Sequence, residues 1–78
     1  MNFVPTVLPE VVVVEPKVFG DSRGFFMEVF HAGRFAEAGL PTVWKQDNIS
    51  RSQKNVLRGL HFQLTQPQGK LVRCLRGA

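Results

Sequence analysis

The sequence contains no tyrosine and only one cysteine, and its second part has almost no acid. A lone Cys74 excludes an internal disulfide framework and any multi-cysteine metal site. The chain is therefore expected to be reduced and intracellular, with Cys74 a small space-filling residue in a strand. No basic segment followed by an apolar stretch opens the chain, and the longest aliphatic run, Val11 to Val14, is far too short to cross a bilayer. A soluble, cytoplasmic protein with no membrane partner is the expectation. The missing tyrosine removes a common base-stacking side chain.

At 78 residues there is room for one domain, and a chain of this size buries a smaller share of its surface than a typical domain. The formal charge of +4 is unevenly placed. Up to Trp44, three basic residues face five acids, a net −2; from Lys45 onward seven basic residues face Asp47 alone, a net +6. An anionic partner for the second part follows from that imbalance. The basic residues stand singly within apolar, strand-like patterns instead of in a run or along a helix face, which argues against nucleic acid. A small phosphorylated ligand suits scattered arginines better.

Along the chain, Pro5 and Pro9 make Met1 to Glu10 an extended arm. Glu10 to Glu15 reads as a strand rich in β-branched residues. It is apolar on both faces and calls for cover on both, which exchange of N-terminal strands between two subunits would supply. Pro16 to Phe19 and Phe25 to Phe30 are predicted strands joined by the turn Gly20 to Gly24. Alternation then sets Glu28 between Phe26 and Phe30. Its carboxylate is either a solvated or paired strand residue, or a ligand contact in a pocket.

His31 to Ala38 suits a short helix stopped by Gly39, with His31 a surface residue at its start. Thr42 to Ile49 returns to strand, with Trp44, Gln46 and Asn48 on one face as either a polar lining or an outward polar stripe. Ser50 to Asn55 and Thr65 to Gly69 are turns. Val56 to Gln63 and Lys70 to Leu75 are further strands. Short strands at hairpin spacing belong to an all-β sandwich or barrel, and the pattern stops at Ala78 with an open edge.

The stretch Val56 to Gln63 stands out because an apolar run there carries Arg58, His61 and Gln63. Imidazole is suited to proton transfer near neutral pH, so His61 is the first candidate for chemistry. A structural strand histidine is the plainer reading. Strict alternation points Arg58 and His61 to opposite faces, and a bulge at Gly59 would bring them to one.

Four blocks now stand in order: DSRGFFME from Asp21 to Glu28, QDNIS from Gln46 to Ser50, LRGLHFQ from Leu57 to Gln63, and QGKLVR from Gln68 to Arg73. In order and spacing they resemble the N-terminal half of the dTDP-4-dehydrorhamnose 3,5-epimerases, cupin-like jelly-roll enzymes of dTDP-rhamnose biosynthesis. The resemblance covers nearly the whole chain, and four blocks in register are far more specific than one. It implies an all-β fold in which residues 1–78 form the N-terminal part of one jelly-roll domain, with antiparallel strands and one short helix, completed by dimerisation or by a C-terminal half.

The resemblance also implies roles for individual residues. His61 matches the base that removes the protons at C3 and C5 of a dTDP-4-keto-6-deoxy sugar, and Lys70 matches the lysine that stabilises the enolate oxygen. Arg23, Glu28, Gln46, Asp47, Asn48 and Arg58 match substrate-contacting positions, with Arg23 and Glu28 reaching across a homodimer interface. No metal and no organic cofactor are implied. The family's second half supplies an acidic partner for the base, a further histidine and a tyrosine acid, and none of these is in this chain. Three readings result: an epimerase polypeptide represented by its N-terminal part, a related nucleotide-sugar binder without turnover, and a small basic β-domain for other anions.

Overall fold

A computed structural model of the chain describes residues 1–77. The chain divides into two compact units, Met1–Asn48 and Ile49–Ala78. Among the described residues every strand and helix lies in the first unit, which is all-β in character: two antiparallel two-stranded sheets with one short helix.

Strand β1 (Asn2–Pro5) pairs with β2 (Val12–Glu15), with Phe3 opposite Val14 and Pro5 opposite Val12. The N-terminal segment is thus tied into a hairpin instead of standing off as an arm. Proline has no N–H to give a ladder and is tolerated at a strand end, which is where Pro5 sits. The connecting loop is closed by Thr6, whose Oγ1 lies 2.7 Å from the Val11 carbonyl oxygen and accepts from the Leu8 N–H at 3.2 Å. Val12 and Val14 are half-buried while Val11 and Val13 are exposed. The run therefore has cover on one of its two faces.

Strands β3 (Val18–Asp21) and β4 (Gly24–Met27) form the expected hairpin around Ser22 and Arg23. Asp21 Oδ1 accepts the Arg23 backbone N–H at 2.9 Å, an Asx-type closure of the turn. Gly24 has φ +140°, a conformation that L-residues rarely adopt. Across the ladder Phe19 and Phe26 lie 6.4 Å apart, and Lys17 Nζ sits 5.0 Å over the Phe19 ring.

Helix α1 (Ala32–Glu37) has six residues, far too few to persist by propensity alone. Tertiary packing holds it: Phe35, 1% exposed, meets Phe3 and Phe30 edge-to-face at centroid distances of 5.4 and 4.7 Å. The helix ends as the sequence predicts. Gly39 at φ +75° donates to Ala36 O (3.0 Å), and Leu40 N–H donates to Phe35 O (2.8 Å), the paired bonds of a Schellman motif.

The predicted strands Thr42–Ile49, Val56–Gln63 and Lys70–Leu75 do not form. β-Propensity is realised only when a neighbouring strand takes up the backbone donors and acceptors, and no such neighbour occurs among the described residues of 49–77. Their apolar side chains stay in solvent, Leu57 at 91% and Phe62 at 82% exposure. Gly59 takes φ +133°, a glycine conformation, but with no ladder beside it there is no bulge. Cys74 is exposed instead of filling a strand. No helix among the described residues is long and apolar enough to cross a membrane.

Candidate functional site

In the first unit, Arg23 stands at the tip of the β3–β4 hairpin, where the Asx closure sets its backbone. Its Nη2 and Nε donate to Asp21 Oδ2 at 2.5 and 3.1 Å. That side-chain bond, and next the bond from the Arg23 backbone N–H, hold the Asp21 carboxyl below the usual carboxylate range. Reciprocally, Asp21 raises the Arg23 guanidinium further above neutrality. The Arg23 side chain is largely exposed and that of Asp21 about half exposed, and Arg23 Nη1 makes no hydrogen bond among the described residues, so Arg23 remains available to an anion. An open concavity of about 390 Å³ lies along this hairpin, with Phe19, Phe25 and Phe26 beside Arg23.

Glu28 lies just after β4, outside the strand expected to hold it, and forms an ion pair. Arg34 of α1 donates through Nη1 to Glu28 Oε1 at 3.2 Å, with both side chains about half exposed. Gln46 and Asn48 come together, Gln46 Nε2 donating to Asn48 Oδ1 at 3.3 Å. Trp44 precedes them half-buried, its Nε1–H shielded and without a partner among the described residues. Asp47 is exposed and makes no hydrogen bond there.

In the second unit, Arg58 folds back on its preceding loop: Nε donates to Ser52 Oγ at 2.6 Å and Nη2 to the Arg51 carbonyl at 3.3 Å. The loop itself turns through Asn55 at φ +71°, with Val56 N–H donating to Gln53 O. Gln63 Oε1 accepts the Gln68 N–H at 3.0 Å and closes the next turn, just ahead of Lys70. His61 and Lys70 are exposed, and no hydrogen bond or ion pair among the described residues reaches either one. The described residues include no cluster of three or more His, Cys, Asp or Glu side chains able to hold a metal ion.

Three contacts escaped the sequence reading. Asp21 as partner of Arg23 is signalled by an aspartate opening a glycine-closed turn. Ser52 as partner of Arg58 has no comparable signal. Arg34 as partner of Glu28 depends on how α1 folds back toward the end of β4, which spacing along the chain does not encode.

As residue types, the first unit offers a guanidinium for an anion and amides for polar partners, and the second offers a guanidinium, an imidazole and an ammonium; among the described residues no hydrogen bond or ion pair joins His61 to Lys70. The family model for dTDP-4-dehydrorhamnose 3,5-epimerase matches residues 5–78. The chain belongs to the dTDP-4-dehydrorhamnose 3,5-epimerase family. Among curated members, the dTDP-4-dehydrorhamnose 3,5-epimerase of Shigella flexneri is 57% identical over 99% of this chain and 44% of its own length. The protein of the same name from Methanothermobacter thermautotrophicus is 52% identical over 97% of this chain and 41% of its own, and that from Escherichia coli K12 is 54% identical over 100% and 43%. The chain spans less than half the length of these epimerases. No solved structure matches it with significance.

Proposed function

We propose that these 78 residues are the N-terminal part of a cytoplasmic dTDP-4-dehydrorhamnose 3,5-epimerase, which inverts a dTDP-4-keto-6-deoxy sugar at C3 and C5 in dTDP-rhamnose biosynthesis. The observation that carries the reading is the family match across residues 5–78, with relatives more than half identical in sequence.

In this reading His61 is the base. A C–H beside a ketone is acidic enough to be removed only if the oxyanion that develops meets a cation or donors in a water-poor site, an effect worth several kcal/mol. Lys70 supplies that cation. Arg23 and Arg58 take the diphosphate, for which planar guanidinium donors are well matched, and the excess positive charge from Lys45 onward favours the same anion. Gln46, Asp47, Asn48 and Glu28 contact the nucleoside and sugar. A tyrosine that returns the proton lies, in the family, beyond the stretch matched by this chain, which has none.

The proposed setting is a single cupin-like jelly-roll domain within a homodimer formed through the N-terminal strands. Both two-stranded sheets have open edges, and Phe25, Phe26, Leu57 and Phe62 are exposed apolar groups that such packing would cover. His61 in a closed, drier site is a stronger base toward carbon than His61 in water, so the chemistry depends on that cover.

Titration with dTDP, followed by amide and side-chain NMR, tests the binding half of the proposal. Saturable shifts at Arg23, Gln46 and Arg58 are the expected result. Weak binding to any polyanion, falling steeply with salt and without preference for dTDP, would instead identify a basic anion-binding domain.

A further inference from the structure

Three arginine side chains are held by hydrogen bonds among the described residues, and one is held differently from the other two. Arg23 is tied to Asp21 and Arg34 to Glu28, so each has a carboxylate against its charge. Arg58 is held by neutral acceptors alone: Nε donates to Ser52 Oγ at 2.6 Å and Nη2 to the Arg51 carbonyl oxygen at 3.3 Å. No aspartate or glutamate follows Asp47 in the sequence, so the unit that contains Arg58 has no acid to offer it.

The loop before Arg58 is what brings its partners to it. Val56 N–H donates to Gln53 O at 3.3 Å, and between them Asn55, a residue type that tolerates the left-handed region, takes φ +71°. The reversal sets Ser52 beside the arginine six residues later. A guanidinium has five N–H donors in one rigid plane. Nε and Nη2 share an edge of that plane, and both bonds to the loop are made from it. The other edge, Nη1 with the second N–H of Nη2, is left as a parallel pair of donors, the arrangement that phosphate oxygens accept bidentately. A hydroxyl and a carbonyl thus fix the plane without neutralising its charge. An arginine loose on an exposed loop gives up rotamer freedom when it binds, and one already held gives up less.

We propose that Ser52 is a positioning residue for Arg58: its hydroxyl, with the Arg51 carbonyl, holds the guanidinium so that the Nη1–Nη2 edge is kept free as a preset fork for a phosphate of the nucleoside diphosphate. Ser52 acts only through Arg58, and its role therefore rests on the proposed assignment of that arginine to the diphosphate.

The test compares the chain with Ser52→Ala, Ser52→Thr, Arg58→Gln and the Ser52→Ala/Arg58→Gln pair. Without ligand, the Arg58 Nε–H proton should exchange slowly with water in the parent chain and in Ser52→Thr, which keeps the hydroxyl, and rapidly in Ser52→Ala. In dTDP titrations Ser52→Ala should weaken binding about fivefold, the order expected for loss of one hydrogen bond, and Ser52→Thr should bind as the parent does. With Arg58→Gln already in place, Ser52→Ala should add nothing, because it acts through the arginine. An equal loss from Ser52→Ala in both backgrounds, or a loss in Arg58→Gln and none in Ser52→Ala, would overturn the positioning role and leave Arg58 its own. Binding of dTDP unaffected by Arg58→Gln, or no binding at all, would remove the assignment of Arg58 and the role of Ser52 with it.

Discussion

Replacing Phe35 by alanine should unfold the first unit or bring it close to unfolding. Phe35 is the only fully buried large side chain among the described residues, and it is the ring against which Phe3 of β1 and Phe30 both pack edge-to-face. Phe→Ala in a core costs about 3–5 kcal/mol. Each aromatic pair lost accounts for about 0.5–1.5 kcal/mol beyond area burial. At about 0.05–0.15 kcal/mol per residue, 78 residues give about 4–12 kcal/mol in all, and a single buried ring argues for the lower end. The substitution therefore removes most of what holds the unit. Phe35→Leu retains much of the volume and should cost about 1–2 kcal/mol, keeping the comparison measurable if the alanine variant does not fold. Trp44 lies in the same unit and reports urea unfolding by fluorescence. Phe25→Ala, at a position 72% exposed, is the control and should stay within about 0.5 kcal/mol of the parent. If Phe35→Ala behaves like Phe25→Ala, the Phe3–Phe30–Phe35 cluster is not the core.

Gly39→Ala places a Cβ at φ +75° in the Schellman turn and should destabilise the unit by about 1 kcal/mol in the same urea assay, although the space around it is open. Gly33→Ala has a sign that depends on its neighbour: with His31→Asn in place it should stabilise by about 0.5–1 kcal/mol as an ordinary helical glycine replacement. With His31 present, the ring 3.1 Å from the new Cβ should reduce or reverse that gain. For Asp21, the carboxyl is held low by Arg23, so the bond between them is complete above the ordinary carboxylate value and is lost as pH falls through the lowered one. A carboxyl-carbon NMR titration should show Asp21 protonating below the usual value of about 3.9, and Arg23→Gln should return it toward that value.

Local chemistry was legible where a few neighbouring residues decide the outcome. The β3–β4 hairpin follows from Asp21, Gly24 and the flanking phenylalanines, and the end of α1 from Gly39. The all-β character followed from the spacing of turns, and the family from four short blocks that no composition measure would find. Strands at Val56–Gln63 and Lys70–Leu75 were legible as propensity only, because a strand is a property of two segments and its partner is not written in the run itself. Gln46 and Asn48 do meet within one segment, although the strand whose alternation would have paired them does not form. Alternation had nothing to say about Arg34 and Glu28, which meet through a helix that folds back. His31 was legible as a helix start and not as a cap, since histidine is not among the residues a capping rule looks for.

Solvent deuterium incorporation at C3 of the dTDP-4-keto-6-deoxy sugar, in the presence of the folded protein, reports proton removal without requiring complete epimerisation. It therefore tests the assignment of His61 most directly. The account predicts incorporation that falls by about 10²–10⁴-fold in His61→Asn, the range for loss of a general base. Equal incorporation by His61→Asn, or none by the folded parent protein, would contradict it.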